Sequence, residues 1–476
     1  MCPLLYESVV LDAVLYMKAP KSLPIIGYTA RLLQPRYKLL DYLARLQSSR
    51  GVKTFEIPSP FVPPTVLIND PACLEYVFRE HELFAKGSFF RSRMHDLFGD
   101  GILNASGPLW QSQRKAGVNF LSSANVTRFS SETLPPLMEA MHERLTTAAI
   151  IHEMVDLQEL LLDLMSKFFG LVAYDTVPGA DQVRAFDEAS AWTDARFTNP
   201  LWQFYELFFG QPLQRALEIV KKFGHEVVIK AAEKTRTPGH QSLLDLLLAR
   251  LPDKETVADA ATTFMSAGRD TTAQAMTWTV YELSKSPKVL STLLTSLEPH
   301  SITRDSSTRS PLRTIGLHPR YIKAVFAEAL RLNPSVPLNM RETARRCRLP
   351  DGTVLQAGTI VAWASYAMAR SSAIWGEDAQ DFRPERWLSS DENGNSTFVP
   401  RSASEYPVFH GGSRVCIGKS MAEAVGCQVL AELVLNWEFE LVDKETRKHA
   451  GESLTAPMDG GLLVRPRRRV WTDTKA

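Results

Sequence analysis

Apolar residues recur at helical spacing along most of the chain. After a stretch punctuated by Pro20, Pro24 and Gly27, a helical pattern runs from residue 30 to about 49. Residues 53–57 and 65–68 are short runs of β-formers joined by a proline-containing turn, and they predict a hairpin. From about residue 70 the pattern is mainly helical. Strand-like runs return at 359–364 and near 461–464, and the polar Ser/Thr/Arg-rich segment 301–312 reads as an exposed loop. The expected fold class is mainly α, with small β-sheets near both ends.

One segment is unusually long. Between Pro252 and Pro287 there is no proline and helix formers prevail. A helix of about 30 residues would reach about 45 Å, enough to cross a domain. Its middle reads Ala267, Gly268, Arg269, Asp270, Thr271, Thr272. Glycine inside a helix costs about 1 kcal/mol relative to alanine. Threonine can bond back to the preceding turn and bend the helix. A weak, polar centre is a poor choice for packing alone. It suits a helix that opens a groove beside a reactive centre.

Composition changes this picture little. A length of 476 residues would ordinarily imply two or three domains, although a large helical enzyme can wrap one chain around one cofactor. The 54 basic and 53 acidic residues nearly balance, so nothing points to nucleic acid as a partner. The cysteines are Cys2, Cys73, Cys347, Cys416 and Cys427, an odd number with no C-x-x-C pair. That argues against a disulfide framework and a four-ligand zinc site. Residues 9–17 are mostly apolar, but Asp12 interrupts them and Glu7 and Lys18 flank them, far short of the ~20 apolar residues of a spanning helix. The start also lacks the basic residues of a signal peptide. Residues 1–19 are thus expected to form an N-terminal segment in which 8–17 touch a membrane interface; the alternative is that a longer anchor is missing from the chain.

The stretch with the most chemistry is Phe409, His410, Gly411, Gly412, Ser413, Arg414, Val415, Cys416, Ile417, Gly418, lying between Pro407 and a helical run from Lys419 to about Trp437. Its glycines allow a tight turn with close backbone approach. Cys416 then sits just before a helix N-terminus, where free N–H groups and the dipole favour a thiolate. A cysteine in a glycine-rich loop is by itself usually a small buried residue. The whole ten-residue spacing is far more specific. It resembles the haem-binding signature of the cytochrome P-450 family, F-x-x-G-x-R-x-C-x-G, with every fixed position filled. Three further segments match in order. Glu328 and Arg331 resemble the family's E-x-x-R, on one face of a helix ended by Pro334. Pro384, Glu385, Arg386 and Trp387 resemble its P-E-R-F segment, with Trp for Phe. Trp110 and Arg114 resemble the W-x-x-x-R of its helix C.

The resemblance implies a P-450 fold, a helix-rich triangular prism around a long central helix I, with residues 20–476 forming a single haem domain. It implies haem b as cofactor, with Cys416 as iron ligand. Phe409 and Gly418 would complete the loop, and Arg414, Trp110, Arg114 and Arg341 would approach the propionates. Arg386 would join Glu328 and Arg331 in a buried ion network. Asp270 and Thr271 would form an acid–alcohol pair that relays protons during oxygen activation. His410 is a weak rival to the sulfur. Electrons would come from NADPH through a separate reductase, for which Lys419 and Arg401 are candidate docking residues. By resemblance the protein would sit on the cytosolic face of the endoplasmic reticulum; otherwise it would be cytoplasmic.

Gly87, Ser88, Phe89 and Phe90, then Asp96 to Gly101 and Ile102, are similar to the helix B–C region of fatty-acid and alkane ω-hydroxylases of fungi and plants. So are Asn199, Pro200, Leu201, Trp202 and the Trp375 to Ala379 segment. The expected reaction is insertion of one oxygen atom from O2 into a lipid-like chain. Hydroxylation of a terpenoid, steroid or polyketide, and a haem-thiolate isomerase or dehydratase, are the alternatives. Phe264, Met265, Ala267, Gly268, Val336, Leu338, Leu454 and Ala456 are expected around the substrate. The aromatic run Trp202, Phe204, Tyr205, Leu207, Phe208, Phe209 is either a core-packing helix or a membrane-touching lip. The 300–320 segment departs from the family's usual sequence, and so does the missing membrane anchor.

Overall fold

The computed structural model describes residues 31–471, apart from 32, 51–53, 61, 235–240, 299–300, 304–308, 312–319 and 391–395. Residues 1–19 fall outside this range, as does the start of the helical pattern at residue 30. Among the described residues the first complete helix is Arg36–Arg50, directly after Pro35, whose fixed φ suits a helix start. The chain is mainly helical. The expected hairpin forms from Thr54–Glu56 and Thr65–Ile68. The segment after residue 300 is not a simple loop: Ser301–Thr303 pairs antiparallel with Arg309–Pro311.

The two strand regions meet in one sheet. Its order is Thr54–Glu56, Thr65–Ile68, Ile360–Trp363, Asn339–Thr343, Phe84–Ala85, with a parallel pair between Thr65–Ile68 and Ile360–Trp363. All four residues of Ile360–Trp363 are buried, which explains an unbroken apolar run in place of alternation. A second sheet joins Trp437–Leu441, Leu463–Arg468 and Val155–Asp156.

The central helix runs Lys254–Lys285, 32 residues without a break, or about 48 Å. Asp253 caps it by accepting from the Thr256 N–H at 2.7 Å, and Pro287 follows its end. It is buried on nearly every side from Val257 to Leu283, packed against Leu157–Tyr174, Gln211–Glu233 and Arg320–Leu332. Gly268 does not break it. A Cβ there would lie 2.2 Å from the Phe169 ring, so the glycine lets the Leu157–Tyr174 helix approach closely.

On the Arg320–Leu332 helix, Glu328 and Arg331 are fully buried, and Arg331 donates two hydrogen bonds to the Glu328 carboxylate, each at 2.8 Å. Arg386 Nε reaches the same Glu328 Oε1 at 2.8 Å, and the Arg383 N–H donates to it at 2.9 Å. Burial pushes the Glu328 carboxyl up, but Arg331 and Arg386 outweigh it and hold it below its ordinary range. Trp387, which departs from the family pattern, has a use here: its indole N–H donates to Glu328 Oε2 at 2.9 Å, a bond that phenylalanine lacks. Arg331 also donates to the Ala379 and Asp381 carbonyls, so the network ties the helix to the chain that leads into the sulfur loop.

Two substitutions grade this network. Trp387→Phe removes one bond from an acceptor that keeps others, and is expected to cost about 1 kcal/mol. Arg331→Met removes two charge-assisted bonds from the buried Glu328, leaving Arg386 as its one cation, and is expected to cost about 3–5 kcal/mol. Urea denaturation followed by circular dichroism would show the order; equal losses would contradict it.

Candidate active site

The Cys416 loop is shaped by its backbone. Pro407–Phe409 and Gly412–Arg414 are single tight turns, and the Cys416 N–H donates to the Phe409 carbonyl at 2.8 Å, folding the loop on itself. Gly412 has φ +62°, and a Cβ there would lie 2.0 Å from the Phe78 carbonyl. Only glycine fits that approach of the Pro71–Arg79 helix. Immediately after the loop the helix Lys419–Asn436 begins, with Gly418 as its cap residue. Burial pushes the Cys416 thiol up, opposed by the Gly418 and Lys419 N–H groups and the Arg114 charge, all of which favour the thiolate. The sulfur is exposed only in the sense that it forms part of a cavity wall.

That cavity, about 400 Å³, lies between the sulfur loop and the central helix. Cys416, Phe409, Gly418, Arg414, Trp110, Arg114 and Arg341 all line it. So do Ala267, Gly268, Thr271, Phe264, Val336, Leu338 and Leu454. Met265 and Ala456 do not line it. Met265 is one residue round from Phe264, about 100° away on the helix, and packs into the core. Ala456 is turned away by its backbone, which donates to Ser335 O and accepts from Trp278 Nε1 at 3.0 Å.

Thr271 Oγ1 donates back to the Ala267 carbonyl at 2.8 Å, as the local chemistry predicts. Asp270 takes a different course. Its carboxylate does not line the cavity; it pairs with Arg269 at 2.9 Å, and Arg269 bridges to Asp187 at 2.6 Å and to Ser166 at 2.9 Å. Burial pushes the Asp270 carboxyl up to about 6, against the pull of Arg269. Because Asp187 is half exposed, this chain of charges runs from the centre of the helix toward solvent.

One edge of the cavity collects cations. Arg414 lies over the Trp110 ring at 3.9 Å and donates to the Ala105 carbonyl, while Arg114 donates to the Val415 carbonyl at 2.9 Å. Arg341 is buried on its strand, its guanidinium pushed down to about 9 by burial and by Arg414. Lys86 joins them, its ammonium driven well below its ordinary range by burial, Arg341 and Arg414. No acid beyond the Cys416 thiol bears on Lys86, Arg114, Arg341 or Arg414 among the described residues. Lys86 escaped sequence reasoning because it stands alone between two short elements; only its neighbour Gly87, at φ +74°, marks the turn that aims it inward. His410 stands in the same wall between Phe78 and Trp363, with Nε2 against Asn339 Oδ1 at 3.1 Å. Burial and the nearby cations keep its imidazole neutral.

These residues fit the haem that the loop motif implies. A soft sulfur forms one wall, apolar side chains form the faces, and a cluster of cations without carboxylate partners is suited to two propionates. Comparison with known proteins agrees. The family model described as Cytochrome P450 matches residues 17–467. Cytochrome P450 94A1 of Vicia sativa is 28% identical over 94% of this chain and 90% of its own length. Cytochrome P450 CYP94D108 of Paris polyphylla is 31% identical over 92% of this chain and 90% of its own. Cytochrome P450 86B1 of Arabidopsis thaliana is 30% identical over 86% and 79%. These relatives are plant proteins, so the fungal side of the expectation finds no support.

The cation cluster makes a prediction about Lys86. Lys86→Met is expected to speed haem transfer to an apo-globin acceptor about five- to tenfold, through loss of one charge-assisted contact. An unchanged transfer rate would remove Lys86 from the cluster's function.

Proposed function

The chain belongs to the cytochrome P450 family of haem monooxygenases, and we propose that this member hydroxylates a fatty acid, an alkane or a similar lipid-like chain. The observation that carries the reading is the cavity itself: Cys416 and the cation cluster on one side, Thr271 on the other, and an apolar lining between them. Bound haem would supply oxygen activation, and a cysteine thiolate pushes electron density toward its iron. Cys416 would hold the iron through its sulfur, and Arg114, Arg341, Arg414, Lys86 and Trp110 would seat the propionates. Phe409 shapes the loop by accepting the Cys416 N–H.

Thr271 lines this cavity with its side chain, and its role is to hand protons inward. Asp270 acts at one remove. Its carboxyl, pushed up to about 6, exchanges a proton more readily near neutrality than an ordinary aspartate, while Arg269, which stays charged between Asp270 and Asp187, holds that carboxyl in place without itself passing protons. A haem-thiolate isomerase or dehydratase needs no such relay, so a threonine facing the cavity favours the monooxygenase.

The substrate reading rests on apolar walls. Phe264, Val336, Leu338 and Leu454, with Phe90, Met94 and Phe98 beside them, offer contact area and few hydrogen-bonding groups. A terpenoid, steroid or polyketide would meet the same surface. Nearby, the helix Trp202–Phe209 buries none of its residues, and Leu207 and Phe208 are 76% and 74% exposed. Such a surface supports the lip over a core-packing helix, and with it peripheral contact with a membrane at the endoplasmic reticulum. Among the described residues no helix is long and apolar enough to cross a bilayer. Electrons would arrive from NADPH by way of a separate reductase, docking near the exposed Lys419 and Arg401.

A panel of fatty acids, alkanes, terpenes and steroids, scored by substrate-induced change of the haem spin state, tests the substrate class. Long-chain lipids are expected to shift it most; a response confined to polycyclic compounds would replace the lipid reading. Cys416→Ala is expected to lose the reduced carbon monoxide band near ~450 nm that thiolate ligation gives. Thr271→Ala is expected to keep that band while releasing reducing equivalents as hydrogen peroxide. Full coupling in Thr271→Ala would sink the relay.

A further inference from the structure

Three walls of the cavity meet at one hydrogen-bonded junction. Ser335, just after the Glu328 helix, donates its hydroxyl to the backbone carbonyl of Thr271 at 2.8 Å. The Ser335 carbonyl accepts from the Ala456 N–H at 2.9 Å. That same N–H lies 3.0 Å from Gln274 Oε1, and Gln274 Nε2 donates to Thr455 Oγ1 at 2.7 Å. Trp278 Nε1 closes the group on the Ala456 carbonyl. Ser335, Gln274 and Thr455 are 5%, 3% and 7% exposed.

Core packing gives no reason for such polarity. A buried amide is costly unless both its ends are bonded, and here both ends of Gln274 are spent on one short segment, Thr455 and Ala456. That segment directly follows Leu454, which lines the cavity. The Ser335 hydroxyl, for its part, bonds the main chain of the residue whose side chain faces the cavity. The backbone of Thr271 is therefore fixed from outside its own helix, by a group that is itself fixed to the Leu454 wall.

We propose that Ser335 and Gln274 are positioning residues that hold the Thr271 hydroxyl in register with the wall formed by Leu454. Neither touches the reacting atoms. They set where the relay hydroxyl stands relative to a substrate lying against Leu454, and so decide how much of the electron flow ends in product. The inference rests on the relay and lipid readings above and adds to them the residues that make the relay accurate.

The test uses the full-length, haem-loaded protein with its reductase and lauric acid as substrate. Ser335→Ala and Gln274→Met are expected to keep the carbon monoxide band and to lower product formed per NADPH consumed about fivefold, the worth of one lost hydrogen bond, with peroxide rising in step. Ser335→Thr, which keeps a hydroxyl, should restore coupling. Ser335→Cys keeps the size but has a weak donor, and serves if the alanine variant does not fold. In the Ser335→Ala/Thr271→Ala double variant, coupling should be no worse than in Thr271→Ala alone, because Ser335 acts only through Thr271. Full coupling in the Ser335 and Gln274 variants, with only thermal stability lowered, would overturn the proposal; so would losses that multiply in the double variant. If Thr271→Ala is itself fully coupled, the relay reading fails first. If the wild type forms no product from lauric acid or from any other lipid of the panel, the lipid reading fails and this inference falls with it.

Discussion

Everything in this molecule is arranged around one sulfur at the start of a helix. Cys416 is placed by main-chain geometry: a bond from its own N–H to Phe409, a glycine that no other residue could replace at 412, and the first N–H groups of the Lys419–Asn436 helix behind it. Against burial, which disfavours a thiolate, stand those N–H groups and Arg114. A metal centre on the open side would decide that contest, since a coordinating thiol is deprotonated outright. The sulfur loop is in turn backed by Glu328, whose carboxylate collects Arg331, Arg386, Trp387 and the Arg383 N–H in one buried place. The network stiffens the support of the loop, and the loop fixes the sulfur.

The second constraint is electrostatic. Lys86, Arg114, Arg341 and Arg414 crowd one edge of the cavity; burial lowers the protonation of all four, and a neighbouring cation adds to it at Lys86, Arg341 and Arg414. Like charges gathered without acids make sense only beside an anion. Helix, strand and loop each contribute a member, so the cluster also holds together parts of the chain that are far apart in sequence.

Motifs with fixed spacing were legible in the sequence. The loop pattern, the E-x-x-R pair and the long proline-free segment each describe one local element, and local elements are what spacing encodes. Contacts between elements were less legible. Gly268 reads as a weak point in a helix, yet its reason is the Phe169 ring of another helix. Asp270 reads as the acid of a pair with Thr271, yet the cation on the preceding residue holds it in an ion pair away from the cavity wall. Met265 and Ala456 are apolar and close in sequence to true lining residues, and only the helix rotation and a backbone bond exclude them. Lys86 belongs to no motif at all; its meaning comes from Arg341, far away along the chain, and from the fold that brings them together.

The account stands or falls on what the iron touches. Iron K-edge X-ray absorption on the purified, haem-loaded protein reads the axial shell directly. One sulfur scatterer, present in the native chain and absent when position 416 is alanine, is the predicted result. A shell of nitrogen and oxygen alone in the native protein, or a sulfur shell that survives the loss of Cys416, would contradict it.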